Sequence, residues 1–162
     1  MASERTTADR LSGANSVSVY AQVLPYLLFG KSVFVTRAVS MLITGLGALA
    51  VSLILKHAFK VRHAWLGILL ISISPAWFLH ARTAFEYIEV ASFYAGFLYC
   101  YLRYRTDAPR YLYAAVLLGA LTFYTHGLGQ VLMGLTGGLL LLVDLPYHLH
   151  PARRAVVLRA LG

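Results

Sequence analysis

Long apolar runs separated by short polar clumps set the organisation of this chain. Val33 to Leu55 supplies 23 mostly apolar residues; as a helix they extend about 35 Å, enough to cross a hydrocarbon core of about 30 Å. Ala64 to His80 and Tyr87 to Leu102 are runs of 17 and 16 residues, near the usual lower limit of about 17 for a span, and each can borrow flanking residues. Tyr111 to Val143 covers 33 residues, and its middle carries "THGLGQ", Thr125 to Gln130. That run is too long for one upright helix, and two glycines with three polar groups at its centre predict two helices joined by a tight turn, or a re-entrant hairpin. The expected fold is all-α, a multi-pass transmembrane helical bundle of about five spans. It forms a single partial domain over residues 1–162, with 1–32 as a loop remnant outside the membrane, 33–143 as the helices and 144–162 as a cytoplasmic tail.

Composition agrees. Hydrophobic residues make up 59% of the chain and charged residues 12%, against about 25% charged in soluble domains. The formal charge of +8 sits in short clumps between apolar runs and forms no continuous basic face, which argues against nucleic acid. Cys100 is the only cysteine and lies inside an apolar run, so neither a disulfide framework nor a cysteine metal site is available. No HExxH, Gly-rich phosphate loop or GxSxG elbow occurs, and no metal site is predicted.

The loops set an orientation. Lys56, Lys60 and Arg62, then Arg103, Arg105 and Arg110, then Arg153, Arg154 and Arg159 fall on one side if the spans alternate. Arg5, Arg10, Lys31, Arg37 and Arg82 fall on the other. The excess of cations marks the first side as cytoplasmic. The opening "MASERTTADR" has no apolar signal region to carry it outward, so an upstream span is expected to be missing.

Between two apolar runs stands "SPAWFLHARTAFEYIEVASF", Ser74 to Phe93, with His80, Arg82, Glu86 and Glu89 close together. Pro75 disturbs the preceding helix near the bilayer surface, and Trp77 suits an interfacial anchor. On a helix starting near His80, Arg82, Glu86 and Glu89 fall within roughly 60° of one another. Arg82 and Glu86 can form a simple i, i+4 pair worth a few tenths of a kcal/mol. Glu89 lies a turn inside the apolar run, where an acid costs roughly 2.5–3.5 kcal/mol at mid-span and usually serves a site or a buried pair. Arg82, with its planar fork, suits a phosphate or pyrophosphate at the membrane boundary. The second outward turn adds Tyr124, His126 and Gln130 as hydrogen-bonding groups, equally suited to interfacial anchoring. Gly134 and Gly138 form a small-xxx-small face for helix packing, and Asp144 closes the final run in a helix-end role.

Three stretches, Val19 to Ile43, Ser74 to Tyr99 and Leu117 to Met133, resemble in order the GT-C glycosyltransferases of the protein O-mannosyltransferase and aminoarabinose transferase type. The second is similar to the family's "SRxxFE" phrase and reads Ala81, Arg82, Thr83, Ala84, Phe85, Glu86, with alanine in place of the usual serine. The resemblance implies transfer of a sugar from a polyprenyl-phosphate donor to an acceptor on the outer face of the cell membrane. It makes Glu86 the catalytic carboxylate, Arg82 the donor-phosphate contact, and His80, Glu89, Tyr124 and His126 candidate lining of a substrate cavity. The cofactor stays open, a divalent cation being one option, and the partners are the lipid donor and membrane lipid. The family's main acidic phrase, early in its first outer loop, has no counterpart here; before Val19 stand only Glu4 and Asp9. A truncated fragment, inactive by itself, is therefore expected. The alternative is a non-enzymatic multi-pass protein, a transporter or assembly subunit, with Arg82, Glu86 and Glu89 as a structural charge network.

Overall fold

The structure, a computed structural model, describes residues 17–77, 79 and 86–148. Its helices run α1 (Val17–Phe29), α2 (Val33–His57), α3 (Trp65–Ile73), α4 (Glu86–Thr106), α5 (Tyr111–Thr125), α6 (Gly127–Val143) and α7 (Leu145–His148), with no strand among the described residues. The all-α bundle of apolar helices is thus present, and a helix stands in each predicted run. By length and composition alone, α2 is long and apolar enough to cross a membrane among the described residues, while α5 and α6 are shorter apolar helices. The predicted break in the last run falls on His126, which ends α5 and caps α6 with extended backbone. α3 is shorter than its run: Ser74, ahead of Pro75, takes ψ 119, because proline's ring excludes the helical conformation from the residue before it. Helix α1 was not foreseen. It turns into α2 through Gly30 at φ +77, and α2 starts where the Ser32 hydroxyl accepts from the Val35 amide at 3.2 Å, satisfying one of the free N–H groups of a helix start.

Which residues are buried reflects a hydrocarbon solvent. In α2 the buried set is Val35, Ser40, Thr44, Gly47, Ala48, Ala50 and Ser52, nearly all small, while Phe34 and Leu42 are 80% and 70% exposed. Lipid tails are as apolar as leucine, so helices gain little by hiding leucine and associate instead through close approach of small residues. The closest is Gly47 against α4: a Cβ there would stand 2.5 Å from the Ser92 hydroxyl oxygen and 2.7 Å from the Ser92 Cα. Ser52 reaches the Ala64 carbonyl at 2.8 Å and ties α2 to the start of α3. Gly134 and Gly138, expected to pack a helix, instead have open space where a Cβ would be.

Helix α4 is central, packed on α2 along one side and α5 along another. α2 and α4 run parallel, since Gly47 meets Ser92 and the His57 ring lies 6.0 Å from that of Tyr99. α5 runs antiparallel, with Arg103 of α4 over the Tyr111 ring at one end and Tyr87 against His126 at the other; between them Gly96 and Phe97 meet Leu118 and Gly119. The far half of α4 packs Phe97, Cys100, Tyr101 and Tyr104 against Leu112 and Ala115 of α5. At that end Asp144, buried, accepts from the Tyr101 hydroxyl at 2.5 Å and pairs with Arg105. Tyr147 donates to the carbonyls of Tyr104 and Arg105 at 3.2 and 2.7 Å, and the Arg105 guanidinium stands 4.8 Å from its ring centroid. Asp144 therefore does more than end a helix: it latches α6 and α7 onto α4.

Two substitutions test these contacts. Gly47→Ala is expected to cost about 1–3 kcal/mol by overpacking against backbone, read as a lower midpoint of thermal unfolding in detergent. Asp144→Asn is expected to cost about 1–3 kcal/mol, below the full penalty for breaking a buried pair because Arg105 is half-exposed. Release of Tyr101 and of α6 should appear as faster hydrogen exchange at Leu140 to Val143.

Candidate functional site

The end of the bundle opposite the latch gathers the helix starts. α2, α4 and α6 run in the same direction; the starts of α4 and α6 meet beside the turn at His126, where Tyr87 faces His126, and α2 begins about 12 Å farther out, eight residues beyond the level set by Gly47 against Ser92. Each such end carries roughly half a positive charge from its aligned peptide dipoles and unsatisfied N–H groups. The cations Lys56, Arg103 and Arg105 occupy the carboxyl ends of α2 and α4, complementing the opposite dipole charge. The basic loops within the described residues thus share one side, as the run pattern predicts.

Of the expected site residues, His80 and Arg82 lie outside the described residues, and Glu86 opens α4 with its side chain outside the described set. Glu89 is described, and it is 1% exposed. Three residues before Ser92, it stands about 60° round the helix from the α2 contact. Gly96, which meets Leu118 of α5, stands about 40° round in the same sense. Glu89 therefore faces the seam between α2 and α5, at the level of Thr125. Thr125 is itself buried, with its hydroxyl donating to the Leu121 carbonyl at 2.6 Å. α1 packs on α2 and also touches α5, so it bridges the two walls of this seam, and its Tyr26 hydroxyl meets Thr36 of α2 at 2.6 Å. Glu89 has an interaction partner, as expected of an acid whose placement within a membrane costs roughly 2.5–3.5 kcal/mol.

His126 shares this end. Its Nδ1 accepts from the Leu128 amide at 3.1 Å, which leaves Nε2 to carry the ring proton of a neutral imidazole. Its ring lies 4.6 Å from that of Tyr87, one residue past Glu86. The turn is held tight by Gly129, where a Cβ would fall 1.9 Å from the Thr122 carbonyl oxygen; only a glycine lets α6 double back so closely on α5. Tyr124 does not join the group. Two residues beyond Thr122, it lies about 160° round α5 from the face towards α4. It is 66% exposed and borders an apolar cavity of about 390 Å³ between α4, α5 and α6.

Sequence reasoning missed Tyr87, Thr125, Thr44 and Ser40. The last two are buried on the face of α2 towards α4, and the Ser40 hydroxyl has no hydrogen-bond partner among the described residues. Their signal was present as polar residues at helical spacing inside the most apolar run. Among the described residues no group of three His, Cys, Asp or Glu stands close enough to hold a metal ion.

If the Gly129 approach sets the turn, Gly129→Ala is expected to separate Tyr87 from His126 and to lower thermal stability by more than Gly127→Ala, where a Cβ meets open space. Comparison of the two melting curves checks it.

No curated protein and no solved structure matches the chain. A family match covers residues 16–158, nearly the whole length, and includes all three stretches on which the resemblance to sugar transferases rested. The chain belongs to the membrane glycosyltransferase family described as dolichyl-phosphate-mannose-protein mannosyltransferase.

Proposed function

We propose that this chain provides part of the donor site of a glycosyltransferase that takes a sugar from a polyprenyl-phosphate carrier at the outer face of the cell membrane. The observation that carries the reading is the buried carboxylate of Glu89, one turn past Glu86, where the amino ends of α4 and α6 come together. Converging helix starts favour an anion such as the donor phosphate. In this reading Arg82 grips that phosphate through its bidentate fork, and Glu86 orients or deprotonates the acceptor hydroxyl as the lipid phosphate departs. The converging N–H dipoles help to hold the negative charge that builds on the leaving group. In the same reading His80, Glu89 and His126 line the substrate cavity, and Tyr124, turned to the far face of α5, stands apart from it. The sugar and acceptor remain those of the family at large.

The test is transfer activity of the full-length protein in liposomes carrying a polyprenyl-phosphate sugar. Glu86→Gln is expected to lower kcat about 100-fold or more, the usual weight of acid–base assistance, while leaving the donor KM nearly unchanged. Arg82→Lys is expected to raise the donor KM about tenfold through loss of the bidentate contact. Unaltered kinetics in Glu86→Gln would contradict the reading and favour the charge network as scaffold of a non-enzymatic membrane protein.

A further inference from the structure

The opposite, cationic end of the bundle carries a feature that sugar transfer does not use. Along the seam of α2 and α4 runs an apolar groove of about 250 Å³, walled by Leu46, Ala50, Leu53, Phe93, Gly96 and Leu118. Through Tyr99 it continues into a cleft lined by His57, Arg103 and Thr106 at the carboxyl ends of both helices. Around that mouth the charges do not balance. Arg103 pairs with Asp107 and Arg105 with Asp144. Lys56, Lys60, Arg62 and Arg110 are exposed and have no ion pair among the described residues. The Nε of Arg103, buried at the cleft, has no hydrogen-bond acceptor among them either. Phe59 and Trp65, 70% and 56% exposed, flank the free cations as interfacial anchors do. Lys60 holds a left-handed backbone at φ 53, a position that glycine would occupy at lower cost.

We infer that this groove is a binding site for one anionic phospholipid of the surrounding bilayer, with an acyl chain along the α2–α4 seam and the phosphate headgroup among Lys56, Lys60 and Arg62. Charge selects the occupant. A zwitterionic lipid fills the groove equally well but leaves the cations uncompensated, whereas each cation near an anionic headgroup contributes about fivefold in affinity. The site lies at the far end of the helices from Glu86 and does not depend on the sugar-transfer reading.

Native mass spectrometry of the full chain, released from mixed micelles holding equal phosphatidylglycerol and phosphatidylcholine of the same chain length, tests it. The unmodified protein is expected to retain phosphatidylglycerol preferentially, and Lys56→Gln/Lys60→Gln/Arg62→Gln to lose about fivefold per cation removed. Lys60→Gly relieves the left-handed strain and so keeps the fold, as circular dichroism will verify; it is expected to lose the share of one cation. Leu46→Trp, which intrudes on the groove without changing charge, is expected to lower phosphatidylglycerol retention too. Equal retention of the two lipids by the unmodified protein, full selectivity in Lys60→Gly, or no effect of Leu46→Trp would overturn the proposal.

Discussion

The approach of Gly47 to Ser92 is the constraint on which the rest of the bundle depends. With no side chain between them, α2 and α4 come near enough for backbone to meet side chain directly, the kind of packing that holds helices together where hydrophobic burial contributes little. This contact fixes the two helices in parallel and fixes their relative height. The face of α4 left over then meets α5, and the short link from Thr106 to Tyr111 makes α5 run the other way. Glu89 faces the α2–α5 seam because Ser92 is committed to α2 and Gly96 to α5.

Two ends of opposite character follow from this arrangement. At one end the start of α6 meets the carboxylate-bearing start of α4. At the other, helix carboxyl ends meet arginine, lysine and a latch in which Asp144 joins Tyr101 to Arg105. Cations stand at the negative dipole ends of α2 and α4, where Arg103 and Arg105 also compensate the acids Asp107 and Asp144 that lie at helix carboxyl ends. Under the two proposals, this arrangement also separates two kinds of anion contact along one molecule: a phosphate to be chemically released at the helix starts, and a lipid headgroup that only binds at the helix ends.

Much of the fold was legible in the sequence because a bilayer imposes length and hydropathy directly. The runs beginning at Val33, Tyr87 and Tyr111 each gave a helix close to the expected limits, and the Thr125 to Gln130 break gave the turn. What stayed hidden depends on tertiary contact. α1 is mostly apolar, with only the narrow polar stripe of Gln22 and Tyr26 to announce it, and its role rests on contacts with α2 and α5. The packing glycines could not be told from the idle ones: Gly134 and Gly138 had the familiar spacing yet face open space, while Gly47 and Gly129 make the close approaches. Of the site, the buried position of Glu89 was foreseen from its depth in an apolar run, whereas the outward face of Tyr124 depended on the rotation of α5. His80, Arg82 and the Glu86 side chain lie outside the described residues, and their roles remain part of the proposal.

The most direct test of the account is the sidedness of its two ends. With Cys100→Ala removing the native thiol, His126→Cys and Lys60→Cys variants of the full-length protein in intact cells can be exposed to a membrane-impermeant maleimide. The account predicts that the thiol at 126 is labelled from outside and the thiol at 60 only after the membrane is opened. Labelling at 60 in intact cells, with protection at 126, would place the carboxylate end on the cytoplasmic side and contradict it.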